Sequence, residues 1–233
     1  MTVAASSVTL VPSARRRHVQ AGWYDSRQSF SGPGTGQFGH LVVHNESTIA
    51  PVSGFPLHGH QDMEIVTWIF SGVMDHADTE GNQTTIFPGL AQRMSAGSGI
   101  RHTEMNPSRT QPSHGVQMWV VPDQRVEPSY AQADVSADLD SGALVPVASG
   151  SNSDAALSLH QRGATLWAAR LVGGVSVEVP DGAWVHLFVP IGSADLEAAG
   201  RLSAGDAARM SRAGSRRLQA AADLTEILIW QMT

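Results

Sequence analysis

Apolar residues alternate with polar ones, or run on without a break, in short stretches that recur along the whole chain. Nearly every stretch stops at a turn rich in Gly, Pro or Asn. In the first half this pattern predicts strands over 39–44, 64–70, 73–77, 84–87, 92–95 and 117–121, with turns at 79–82, 88–89 and 96–99. No segment before residue 125 holds a 3.6-residue period, which argues against alternating strand and helix units. Strand patterns return over 156–159, 165–171, 176–179, 184–189, 216–220 and 226–231. The second half therefore reads as a degenerate copy of the first. The expected fold is all-β, a sandwich or closed barrel in each half. Residues 1–125 form the first unit, 126–155 a linker and 156–233 the second. The middle of the crossing stretch, 130–139, has room for a short helix.

Composition narrows the classes. A chain of 233 residues with 42% hydrophobic and 15% charged content is long and apolar enough to bury a core. The formal net charge of −6 speaks against nucleic acid and anionic lipid as partners. The run Arg15-Arg16-Arg17 reads as a solvated segment. Cysteine is absent, which removes disulfides, thiolate ligands and thiol nucleophiles. All 15 cationic side chains are Arg, so Schiff-base chemistry and a phosphate-loop lysine are excluded. No run of 18 apolar residues predicts a membrane span, and the charges near the start follow the apolar part rather than precede it. A cytoplasmic monomer is expected.

Candidate chemistry gathers at His58-Gly59-His60 and His102-Thr103-Glu104. On a strand, positions i and i+2 share a face, so each pair points two metal-ligand side chains the same way. Two neighbouring strands would bring His58, His60, His102 and Glu104 to one point. That set suits one divalent transition metal: Fe(II), Ni(II), Cu(II), Mn(II) or Zn(II). Glu64, four residues past His60, is expected on the same face as a supporting acid, with Asp62 as a second acceptor for a ligand N–H. Phe55, Trp68, Met94, Met118 and Trp119 are candidate pocket walls, and His114 and Gln117 could face the pocket. His76 reads as structural. His160 and His186 form no pair, and no metal is expected in the second half.

At these residues the chain resembles the pirin family of the cupin superfamily. The likeness is carried by 54–67 (Gly-Phe-Pro-Leu-His-Gly-His-Gln-Asp-Met-Glu-Ile-Val-Thr), Asp75-His76-Ala77-Asp78, Gly81-Asn82, 94–104 and Gln117-Met118-Trp119-Val120. It is closest to bacterial pirin-like proteins that include quercetin 2,3-dioxygenases. The chain departs from the family at Gly59, where Pro is usual, at Gln28-Ser29-Phe30, and in the Gly-rich 31–37 loop. The resemblance implies a bicupin, two jelly-roll-like barrels packed face to face, with the metal in the first barrel, Fe(II) favoured, on the same four residues. It also implies a flavonol 2,3-dioxygenase using O2 on a small aromatic substrate, with Glu104 taking the hydroxyl proton. The rival implication is a non-enzymatic metal-binding regulator that acts through a protein partner. A metal-assisted isomerase of small sugars or acids, as in other cupins, ranks last.

Overall fold

The computed structural model describes residues 6–32 and 36–233, so part of the Gly-rich loop at 31–37 lies outside the described residues. Each half of the chain builds a seven-stranded and a four-stranded sheet. In the first half, the larger sheet runs in the order Ser129–Asp134, Leu90–Ser95, Glu64–Ser71, Ser113–Val120, Leu41–Ile49, Tyr24–Ser31, Arg17–Ala21. The smaller sheet is Ser53–His60, Ile100–Asn106, Met74–Asp78, Gln83–Ile86. The second half repeats the scheme. The sheet centred on Leu224–Met232 opposes one made of Ser176–Val179, Arg216–Ala220, Ser193–Leu196 and Gly200–Ser203. Among the described residues no helix is long and apolar enough to cross a membrane.

The two seven-stranded sheets pack face to face. Val66, Trp68, Phe70 and Met118 from the first meet Leu166, Phe188, Leu228 and Trp230 from the second in one apolar cluster. Fully buried side chains of this size each contribute about 1.5–3 kcal/mol relative to exposure, so this seam is a main source of stability. One buried polar group there is doubly paired: Trp68 Nε1 donates to Glu226 Oε1 (2.8 Å), and Arg170 Nε donates to Glu226 Oε2 (2.7 Å). Trp68 and Met118 thus belong to the seam and not to a pocket wall.

Several expected elements shift. The 126–155 stretch divides its structure between the halves: Ser129–Asp134 pairs with Leu90–Ser95, while Val145–Ser149 pairs with Ala164–Val172. The helix occupies only Ser136–Leu139, because Tyr130 and its neighbours are held in the strand. Strands at Ser7–Val11, Arg17–Ala21 and Tyr24–Ser31 were not expected, since their charged and half-exposed residues blur the alternation. Ser7–Val11 crosses over to pair with Ala207–Ser211 in the second half. Arg16 is not solvated: it is buried, bonds Glu46, and lies 5.2 Å from the centre of the Phe188 ring.

Beside Arg16, His44 and His186 meet across the seam with ring centroids 4.7 Å apart, and none of their four ring nitrogens has a hydrogen-bond partner. Burial, then the Arg209 and Arg16 charges, lower the His186 pKa to about 3. His44 is lowered by burial, then by His186 and Arg16. Both rings are therefore neutral near pH 7, and protonating either would add charge to a buried cationic setting. The unfolded chain takes up these protons near pH 6.5 and the folded one does not. Their contribution to stability is therefore complete above about pH 6.5 and is lost as pH falls below it, for His186 by on the order of 1.4 kcal/mol per pH unit as pH drops toward 3. Urea midpoints measured from pH 7 to 5 should fall less steeply for His186→Leu than for the parent; parallel slopes would contradict this.

Candidate metal centre

Strand pairing sets the site. Ile100–Asn106 lies between Ser53–His60 and Met74–Asp78, with His102 directly opposite His58. Past this point the register shifts, and Glu104 faces Phe55. The extra residue of this bulge falls at 56–57, where Pro56 has no N–H to lose from the ladder. The bulge changes the parity of the strand, so Phe55, His58 and His60 all point inward.

The three imidazoles His58, His60 and His102 converge, each offering a nitrogen, with these atoms all within 4.8 Å of one another. Their ring centroids stand 4.4–4.9 Å apart. His60 Nε2 and His102 Nε2 are buried with no hydrogen-bond partner, which is what a ligand atom aimed at a cation looks like without one. Burial lowers the His102 pKa to about 3, helped by His58 and His60. Burial, then His58, lowers that of His60 to about 4. These are neutral rings near pH 7 with lone pairs free for a metal.

The outer nitrogens are fixed as well. His58 Nδ1 donates to the Pro56 carbonyl at 2.8 Å, which leaves Nε2 as the ligand atom. His102 Nδ1 lies 3.3 Å from His76 Nδ1, and His76 Nε2 lies 3.1 Å from Asp78 Oδ2. With His102 Nε2 free, this chain has one polarity: His102 donates to His76, and His76 donates to Asp78. Burial works to raise the Asp78 pKa, but hydrogen bonds from His76 and Asn82 outweigh it, and the carboxyl is held below its usual value. His76 is therefore more than a structural residue. The signal was its register: it sits opposite Glu104, two residues from Asp78.

A cavity of about 250 Å³ opens beside the histidines. Apolar side chains of Phe55, Ile49, Ile69, Met74 and Trp119 line much of it, together with Glu104 and Gln117; Glu104, the fourth ligand expected from the sequence, does not join the close group of three histidines. Glu104 Oε1 accepts from Gln117 Nε2 (2.7 Å), and Gln117 Oε1 accepts from Trp119 Nε1 (2.8 Å). Burial raises the Glu104 pKa, with the Gln117 hydrogen bond opposing.

Other expected site residues lie elsewhere. Glu64 starts a new strand after the turn at Asp62, whose φ is +50°, and so points to the opposite face of its sheet. There its Oε2 accepts from the His160 backbone N–H at 3.1 Å. Asp62 receives Gln61 Nε2 rather than an imidazole. Met94 packs with Ile65, Ile100 and Val42 in a separate apolar cluster. His114 turns outward to Glu46 Oε1 (3.0 Å). An odd spacing from Gln117 puts the two residues on opposite faces of the strand.

A profile of the Pirin family matches residues 12–120. A Mycobacterium tuberculosis (strain H37Rv) protein named "Putative quercetin 2,3-dioxygenase" is 45% identical over 234 residues, covering 97% of this chain and 96% of its own. The chain belongs to the pirin family. A relative from Escherichia coli K12, named quercetin 2,3-dioxygenase, is 41% identical over 123 residues, half of this chain and 53% of its own. The E. coli pirin YhhW superposes with a TM-score of 0.89 at 29% identity, over 97% of this chain and 98% of its own. A second YhhW structure, in complex with nickel(II), gives 0.86 at 28% identity over 97% and 99%. The paired barrels are thus a two-domain cupin.

Because His76 orients His102, His76→Phe should weaken metal binding by roughly 10–100-fold in chelator competition. Circular dichroism would confirm that the variant folds, and unchanged affinity would remove His76 from this role.

Proposed function

We propose that this pirin is a metal-dependent dioxygenase that opens the ring of a flavonol such as quercetin with O2, in its first barrel. The observation that carries the reading is the convergence of three imidazoles beside a largely apolar cavity that Glu104 also lines. Imidazoles and a carboxylate suit one divalent transition metal: Fe(II), Ni(II), Cu(II), Mn(II) or Zn(II). His58, His60 and His102 would hold it, with Glu104 as the fourth ligand. Once bound, the metal supplies a Lewis acid and a template for the substrate hydroxyl.

The protein residues supply the rest. Glu104, buried in the cavity wall, accepts the proton of the substrate hydroxyl. Gln117 holds that carboxylate in place and is itself held by Trp119. The His102–His76–Asp78 chain fixes a ligand ring before substrate arrives. Phe55, Ile69, Met74 and Trp119 offer apolar surface to aromatic rings and keep water away.

The test is purified protein loaded with each metal in turn, with quercetin absorbance and oxygen uptake followed together. The expected result is bleaching matched by oxygen consumption, lost with the metal in His58→Ala and His102→Ala. Glu104→Gln should lower the rate by about 100-fold or more. Firm metal binding with no turnover would support the regulator instead, and bleaching that persists in His102→Ala would mark background oxidation.

A further inference from the structure

The three converging histidines differ in how their outer nitrogens are held. His58 Nδ1 donates to the Pro56 carbonyl, and His102 Nδ1 donates to His76. His60 has no such bond. Its Nε2 is buried without a partner, while its Nδ1 is not closed off by burial and meets no acceptor among the described residues. A ligand imidazole nearly always gives its second N–H to an acceptor, which orients the ring and raises its basicity. At His60 the chain supplies none.

His60 also lines a second space besides the cavity. This is a depression of about 530 Å³ that it shares with Gly59, Gln61, Thr79 and Arg101. Gly59 and Arg101 are directly paired across the two ligand strands, and both are exposed. They alternate with the inward His58, His60 and His102, so they belong to the outer face. Gly59 puts no side chain there. Apart from its chain neighbours, a Cβ at Gly59 would meet nothing closer than Arg101 Cγ at 3.5 Å. The backbone at Arg101 is fixed, since its N–H donates to Thr79 Oγ1 (3.2 Å) and the Thr79 N–H donates back to its carbonyl (2.9 Å). The Arg101 guanidinium has no ion-pair or hydrogen-bond partner among the described residues. No carboxylate lines the depression, so its one formal charge is positive.

We propose that this depression binds a small oxyanion, which bridges Arg101 and the His60 Nδ1–H and tunes metal binding from outside the barrel. The anion does for His60 what the Pro56 carbonyl does for His58 and what His76 does for His102. Arg101 is a positioning residue: it acts on the metal centre only through the anion and His60. Positive charge on the far side of the imidazole strengthens the attraction for the anion. The coupling is reciprocal, so the factor by which the anion tightens the metal is the factor by which the metal tightens the anion. The site lies apart from the substrate cavity, which makes the metal centre responsive to the anions around the protein. The inference rests on the metal centre and not on the reaction proposed for it.

Ni(II) affinity measured by chelator competition tests it, in sulfate, acetate and chloride buffers of equal ionic strength. Sulfate and acetate offer a tetrahedral and a planar oxyanion, and the stronger response names the class. The parent should bind Ni(II) at least about threefold more tightly in one of them than in chloride. Arg101→Met should lose that gain while keeping its affinity in chloride and its circular dichroism. Parent and variant share each buffer, so any complex of the anion with free Ni(II) cancels. Equal affinities in the three buffers, or a gain that survives in Arg101→Met, would overturn the proposal. A second readout needs no metal. In proton–nitrogen correlation spectra of the metal-free parent, the His60 imidazole should shift and saturate as the same oxyanion is added, and should stay still in Arg101→Met. An unmoved His60 in the parent also overturns the proposal. The two readings fail separately. A saturating His60 response with no Ni(II) binding in any buffer sinks only the metal centre, and firm Ni(II) binding indifferent to the anion sinks only the anion site.

Discussion

One strand register carries the site. His102 lies opposite His58, and the bulge beyond it brings Glu104 opposite Phe55. Side chains alternate between faces, so a slip of one residue would send every histidine of one strand to the outer surface. The cation geometry is thus a property of backbone pairing. The bulge at Pro56 lets an aromatic wall and two ligands face inward from the same strand, which a regular strand could not do at odd spacing.

The two barrels show how one architecture serves two ends. In the second, Leu171, Leu187, Leu196, Leu218 and Ile229 fill the interior as a continuous apolar cluster. In the first, the interior apolar residues split into two smaller clusters, around Met94 and around Met74. The same barrel holds the three histidines and a cavity walled in part by Ile49, Ile69 and Met74. A hollow barrel with buried polar atoms is costly to hold open. The face-to-face seam helps offset that cost by clamping the large sheet from behind, with Trp68 tied to Glu226 across it.

Much of this was legible in the sequence, for reasons that can be named. The His-x-His and His-x-Glu spacings state a strand face directly, and the strands at Ser176–Val179 and Arg216–Ala220 follow their alternation to the residue. What failed was parity and long-range pairing. His114 and Gln117 cannot share a face at odd spacing, and Glu64 lost its expected face at the Asp62 turn. His76 looked like an isolated alternating residue because its partner His102 lies 26 positions away. Arg16 looked solvated because Glu46 and Phe188 reach it only through tertiary packing. The polar row Gln28, Asn45, Gln117, Thr67 and Gln92 was invisible for the same cause: its members are scattered over the chain, and only the ladder of five strands lines them up.

The crossing of Ser7–Val11 to Ala207–Ser211 has a consequence for how the chain is made. The strand that leaves the ribosome early has its partner about 200 residues downstream, roughly 10–40 s later at ordinary elongation rates. The second barrel must close its edge with a piece of chain that the first barrel has already left behind. The halves are therefore stitched as a loop is stitched, end to beginning. The second barrel cannot be separated at the crossing stretch without exposing the sheet edge at Ala207–Ser211.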